Sequence, residues 1–246
     1  MGSYNILRLD EVDSTNLYAL RNLDTLTDGQ VILAEKQTHG RGRFQRGWVS
    51  HVPNNLYMSI VLKPCRELNK STPLVSLTQY MALVICDILL FYGVEAGLKW
   101  PNDVLVRGSK IAGLLGESST VGKCLKGFVL GAGINLNMTQ GEIKSIDQPA
   151  VSLNLLTGSP VNRDDFLKAL LTQFFSGYGL FMETGFSLIK EKFSKRSTFL
   201  GKKITITSLN SQISGLAGGY SDDGSLLLIT EEGEEKEITT GDVLYP

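Results

Sequence analysis

His39-Gly40-Arg41-Gly42-Arg43-Phe44-Gln45-Arg46-Gly47-Trp48 lies between two apolar runs, Gln30 to Gln37 and Asn55 to Lys63, that read as strands. The ten residues hold three arginines, three glycines and a tryptophan in a chain whose formal net charge is only −1. Alternate glycines remove Cβ bulk, so backbone N–H groups can approach an anion closely. The arginines between them offer planar, permanently charged forks for carboxylate or phosphate oxygens. Trp48 adds a flat apolar face. A strand–loop–strand unit of this kind suits a ligand with both phosphates and a flat base, and a nucleotide is the obvious candidate. A solvated basic turn, or a segment that holds single-stranded nucleic acid, has the same local composition.

The rest of the chain narrows that choice. At 246 residues it can build one substantial core, or a large domain with a small one. A hydrophobic content of 42% with 20% charged residues is that of an ordinary soluble globular protein. A protein that coats nucleic acid carries a basic field over a whole face, and the balanced charge speaks against one. Cys65, Cys86 and Cys124 are far apart and in no CxxC pair, so they read as reduced thiols of a cytoplasmic protein. His39 and His51 are the only histidines, which excludes a multi-histidine metal cluster. Met1-Gly2-Ser3 does not open a charged-then-apolar leader. The uncharged stretch Ser71 to Cys86 is too short to span a bilayer and reads as a buried helix.

Asp13-Ser14-Thr15-Asn16 before Leu17-Tyr18-Ala19-Leu20 predicts a helix start with a capping side chain. Thr72-Pro73 predicts the opening of a long core helix through Phe91. Gly97 to Trp100 reads as a short strand. Val104 to Val106, the turn Arg107-Gly108-Ser109 and Lys110 to Glu117 read as a hairpin. Lys126 to Asn135 is a further strand with glycines where something approaches its backbone. Asn137 to Val151 is polar and is expected to form a mobile, irregular loop. Phe166, Leu170, Phe174 and Tyr178 mark an amphipathic helix, and Phe186 to Ser197 a second. Near Leu200 the texture changes to short alternating strands joined by turns such as Asp223-Gly224, with Glu231 to Glu237 as a solvated acidic hairpin. The division predicted is an α+β domain over 1–199 and a small β-barrel over 200–246.

Five blocks then occur in one order: Asp13-Ser14-Thr15-Asn16; Gly40-Arg41-Gly42-Arg43 with Trp48; Lys99-Trp100-Pro101-Asn102-Asp103; Lys110-Ile111-Ala112-Gly113-Leu114-Leu115-Gly116-Glu117; and Gly131-Ala132-Gly133-Ile134-Asn135-Leu136-Asn137. The set resembles the biotin–protein ligases, from about Leu9 to the C-terminus. The resemblance implies a mixed sheet packed with helices, related to the class II synthetase fold, with a C-terminal SH3-like barrel. It also implies the monofunctional type, without an N-terminal winged helix-turn-helix.

By the same resemblance, biotin and ATP, with Mg²⁺, give biotinyl-5′-AMP. The acyl group then passes to one lysine of a biotin carboxyl carrier domain of a carboxylase. Lys110, Arg41 and Arg43 match the catalytic positions. Ser14, Thr15, Asn16, Gln37, Gly40, Arg41, Gly42, Arg43, Lys110, Gly113 and Leu115 match the biotin side. Arg43, Arg46, Trp48, Lys99, Asn102, Asp103, Lys110 and Asn135 match the ATP side, with Asp103 as the candidate metal contact. Neutral donors and acceptors such as Ser14 and Gln37 suit a neutral ureido ring. Gly113 and Gly116 are expected to let the ligand approach the sheet, although bulges would have the same residues. The partners implied are the carrier domain and the two small molecules, with no nucleic acid or membrane, for a monomer or weak homodimer. A lipoate or octanoate ligase and a biotin sensor without turnover share much of this pattern. One departure stands out: Gln45 replaces a usual glycine in the loop, and Gly47 a larger residue.

Overall fold

The computed structural model describes residues 4–64, 73–122, 124–208 and 211–245. Cys65, Thr72 and the Met1-Gly2-Ser3 start, read above from sequence, lie outside them. Strand β1 (Asn5–Val12), helix α1 (Thr15–Arg21) and β2 (Gln30–Gln37) form a parallel βαβ unit. The remaining strands of the large sheet are antiparallel: β3 (Leu56–Leu62), β4 (Gly97–Lys99), β5 (Asp103–Val106), β6 (Ser109–Val121) and β7 (Cys124–Ile134). Their order across the sheet is β1-β2-β3-β7-β6-β5-β4.

Strand periodicity decides what each face of this sheet does. Leu56, Met58, Ile60 and Leu62 of β3 and Phe128, Leu130, Ala132 and Ile134 of β7 turn to the main core. There they meet α2 (Leu77–Phe91) and α5 (Arg163–Thr184), where Tyr80 stacks on Phe181 and meets Phe174 at a tilt. The alternate residues Val61 and Val129 turn to the opposite face, where Ala19 of α1 and Leu23 just after it cover them. Beyond α1 that face carries Gly113, Gly131 and Gly133 at positions where bulky side chains would fill it, and a cleft remains.

Several local expectations change. The core helix starts at Leu77, after a turn over Pro73–Ser76, because the Ser76 hydroxyl bonds back to the Pro73 carbonyl. Residues 137–151 are not irregular throughout: α3 (Gln140–Lys144) begins with a reciprocal Thr139–Glu142 capping box. Asn137 fastens the same segment to the carbonyls of Asn54 and Val161. A second short helix, α4 (Leu153–Thr157), follows. Ser14 holds the N-cap of α1 in extended geometry but makes no side-chain capping bond.

After α6 (Lys190–Arg196) come β8 (Lys203–Thr207), β9 (Gln212–Tyr220), β10 (Leu226–Ile229), β11 (Glu235–Ile238) and β12 (Asp242–Leu244). They form the antiparallel SH3-like unit, in the order β11-β10-β9-β8-β12. The acidic run is the β10–β11 hairpin, as expected. Ile204, Leu226, Leu228 and Val243 of this unit join the same core as the large sheet. The Gly224 carbonyl accepts from both Gln79 Nε2 (2.8 Å) and Trp100 Nε1 (2.9 Å), which pins the barrel to the helical layer. No helix of the described residues is long and apolar enough to cross a membrane.

Candidate active site

The cleft on the open sheet face is walled by the N-terminus of α1, the glycine–arginine loop, β6, β7 and the last strand of the barrel. One end is neutral. Gln37 Oε1 accepts from the Thr15 backbone N–H at 2.8 Å, and Gln37 Nε2 donates to Ser50 Oγ at 3.0 Å. Ser59 Oγ lies 2.7 Å from Thr15 Oγ1 and 2.6 Å from Asn16 Oδ1. Asn16 Nδ2 donates to the Leu115 carbonyl and to Glu117 Oε2. The Ser14 hydroxyl, on a buried residue of the cleft wall, makes no hydrogen bond among the described residues. It is therefore free to serve a ligand.

The other end is cationic, and most of its charges are held by carboxylates. Arg41 faces Glu117 at 3.2 Å, and Lys110 Nζ lies 2.6 Å from Asp103 Oδ1. Arg43 and Arg46 both converge on Asp242 at the start of β12, and Arg43 also donates to the Gly241 carbonyl. Burial pushes the Arg43 guanidinium below its ordinary value, and the charges of Asp242 and Asp103 oppose that. Lys99 has no carboxylate partner among the described residues; its Nζ stands 5.8 Å from the Tyr245 ring centroid. Lys110 is not a solvated hairpin lysine. Its side chain is only 17% exposed, with Nζ 5.3 Å from the Trp48 ring.

Trp48 closes the floor. Gly113 and Gly133 face each other in the β6–β7 register. A Cβ on Gly133 would come within 2.4 Å of the indole, and one on Gly113 within 2.9 Å. These glycines therefore make room for Trp48 and the Lys110 stem. Gly116 is on the core face, where a Cβ would meet Phe128 at 2.5 Å. The expectation that Gly116 opens the sheet to a ligand is corrected accordingly, whereas Gly113 lines the cleft beside Trp48 and Lys110. Trp48 Nε1 is buried without a protein acceptor, a donor left over on the cleft floor.

Ser14, Thr15, Asn16, Gln37, Arg41, Gly42, Arg43, Arg46, Trp48, Lys99, Asn102, Asp103, Lys110, Gly113 and Leu115 all line this one cleft. Gly40 and Asn135 do not. Gly40 is packed beneath Ser50 and the Trp48 carbonyl, which a Cβ would strike at 2.2 and 2.5 Å. Asn135 lies behind Lys110, its Nδ2 donating to the carbonyls of Lys110 and Val151. It fixes the backbone that carries the lysine. A neutral polar pocket joined to a cationic one can take a polar ring carrying a carboxylate and set that carboxylate beside a phosphate chain.

A match to the Biotin/lipoate A/B protein ligase family covers residues 8–135, and one to the Biotin protein ligase C terminal domain covers 199–244. The chain belongs to the biotin/lipoate protein ligase family. Bifunctional ligase/repressor BirA of Bacillus spizizenii is 34% identical, over 96% of this chain and 72% of that protein. The protein of the same name from Bacillus subtilis is 34% identical, and the chain spans 64% of its length. The biotin--[acetyl-CoA-carboxylase] ligase of Paracoccus denitrificans is 33% identical over 89% of this chain and 92% of that one. Among solved structures, the biotin protein ligase from Aquifex aeolicus in complex with biotin and ATP superposes with a TM-score of 0.79. It is 31% identical, with 98% of this chain and 97% of that chain covered.

Around this cleft, sequence reasoning missed Glu117 and Asp242. Glu117 stood inside a quoted block with no role attached. Asp242 has no local signal, because only the docking of the barrel brings it to the arginines. The unusual loop residues now have geometry: Gln45 adopts φ 59°, the left-handed region that glycine occupies without strain. Gly47 is different, since a Cβ there meets nothing within 4 Å.

Proposed function

We propose that the chain is a biotin–protein ligase that forms biotinyl-5′-AMP from biotin and MgATP and transfers biotin to one lysine of a carrier domain. In the first step a carboxylate oxygen of biotin bonds to the α-phosphorus and the bond to pyrophosphate breaks. In the second, the lysine ε-amine bonds to the acyl carbon, loses a proton, and AMP leaves. The single observation that carries this reading is one cleft with a neutral hydrogen-bonding end and five cations, Arg41, Arg43, Arg46, Lys99 and Lys110, at the other.

Both steps work on crowded anions, so positioning and charge neutralisation do most of the work. Ser14, Thr15, Asn16 and Gln37 hold the ureido head, and Arg41, Arg43 and Lys110 receive its carboxylate and the reacting phosphate. Lys99, Arg46 and Asn102 serve the remaining phosphates, and Trp48 offers a flat face to the base. The described residues hold no group of three or more metal-ligating side chains. Asp103, already close to Lys110, fits Mg²⁺ as one carboxylate beside phosphate oxygens and water. Bound there with ATP, Mg²⁺ would neutralise phosphate charge.

The same reading places the protein in the cytoplasm, as a monomer or weak homodimer, with no nucleic-acid or membrane partner. Its test is transfer. The chain, biotin, MgATP and a carboxylase carrier domain are mixed, and the carrier is followed by mass spectrometry. One biotin on one lysine is expected. An unmodified carrier with biotin bound to the chain points to a sensor, and modification by lipoate instead points to the lipoyl branch.

A further inference from the structure

Glu117 has no part in the chemistry just described, yet it touches both ends of the cleft. It lies on β6 two residues beyond Leu115, so the two share the cleft face of the sheet. Its Oε2 accepts from Asn16 Nδ2 at 2.9 Å while its Oε1 faces Arg41 Nη1 at 3.2 Å. Only 22% of the side chain is exposed. A carboxylate paired with a guanidinium can only accept, so Asn16 must turn its amide nitrogen toward it. The Leu115 carbonyl, 3.2 Å from the same nitrogen, takes the second N–H. The Ser59 hydroxyl, 2.6 Å from Oδ1, occupies one lone pair of the amide oxygen. Asn16 is then left with no donor. Its one unspent capacity is the second lone pair on Oδ1, which can receive an N–H and cannot supply one.

We propose that Glu117 is a positioning residue that holds Asn16 as a pure acceptor for a ring N–H of the bound acid. This rests on the biotin reading above and names its selectivity: a cyclic urea carries such an N–H, and a disulfide ring or plain acyl chain does not. A site built to bond a polar head discriminates strongly against analogues lacking it, because its own buried groups are left unpaired. Glu117 acts through Asn16 and touches no reacting atom. Its pairing with Arg41 ties the orientation of the head to the position of the loop.

The test is a double-mutant cycle on the full chain, read as biotin dissociation constants by calorimetry without nucleotide. Glu117→Gln should weaken biotin about tenfold or more in the wild-type background. In an Asn16→Ala background the same change should alter affinity less than about twofold. A second pair covers the case where Asn16→Ala binds too weakly to measure. Asn16→Asp sets two carboxylates together, and adding Glu117→Gln should recover about tenfold of the lost affinity, since the new amide can donate to Asp. Normal biotin affinity in Glu117→Gln, or equal losses in both backgrounds, or no recovery in the second pair, overturns the proposal while leaving the ligase reading intact. A wild-type chain that does not bind biotin overturns the ligase reading, and this proposal falls with it.

Discussion

Lys110 owes its place to a two-residue turn. Arg107 and Gly108 take φ values of 51° and 79°, the pair of left-handed residues that joins β5 to β6 tightly and starts the lysine strand at the cleft. There Nζ lies 2.6 Å from Asp103 Oδ1. Lys110→Ala should slow adenylation by ~10²–10³-fold, the loss typical of one preorganised donor to a developing oxyanion. Near-normal single-turnover adenylate formation in that variant would contradict the role. Gln45 makes the opposite kind of prediction, about shape alone. Its left-handed φ disfavours a branched side chain, so Gln45→Val should destabilise the loop by ~1–2 kcal/mol. Gln45→Gly should leave it unchanged or firmer, both read as tryptic cleavage rates at Arg43 and Arg46. Residue types announced most of this site, because arginine, glycine and lysine in ordered blocks have few other uses together. Glu117 escaped because a carboxylate at a strand position reads as solvated until its partners are seen.

At the scale of elements, the strands were legible and the helix starts less so. The β2 run was bounded correctly by its apolar residues, since a strand covered on both faces needs little else. At α1 the N-cap residue Ser14 makes no side-chain capping bond. Asp13 takes the Ser14 N–H at 2.7 Å and pairs with Arg21. The hydrogen bond from Arg21 holds the Asp13 carboxyl down to about 2, against an ordinary 3.8. A lowered carboxylate stabilises the fold above its unfolded value and loses that contribution as pH falls toward the folded one. The wild type should therefore be more stable than Asp13→Asn above pH 4, and the gap should close between about pH 4 and pH 2 in urea unfolding. The effect is small, since Arg21 is half exposed and solvent screens the pair. A gap that widens on acidification would contradict the assignment. The segment 137–151 misled because polar residues were read as slack. Here they are Asn and Thr side chains that bond the backbone.

For the whole molecule, the change of texture near Leu200 revealed the barrel but not where it docks. No periodicity in residues 200–246 says that Asp242 meets Arg43 and Arg46, or that Gly224 receives Trp100 and Gln79. These contacts join elements more than 120 residues apart and exist only in the folded chain. They make the barrel one wall of the cleft, and Asp242 its hold on the arginine loop. Asp242→Asn should free that loop, and tryptic cleavage within residues 41–46 should accelerate about tenfold, equivalent to ~1.4 kcal/mol of easier local opening. Cleavage at the wild-type rate would show that the barrel does not restrain the loop. The core itself is continuous from the α2–α5 layer into the barrel, so Asp242→Asn should still unfold in one cooperative transition.

The central claim is that this cleft activates the carboxylate of biotin with ATP. Isotopic exchange of pyrophosphate into ATP, catalysed by the purified chain with Mg²⁺, tests it most directly, with biotin, lipoate and octanoate in separate reactions. The account predicts exchange with biotin and none above background with the other two. Exchange with lipoate or octanoate alone, or with none of the three, would contradict it.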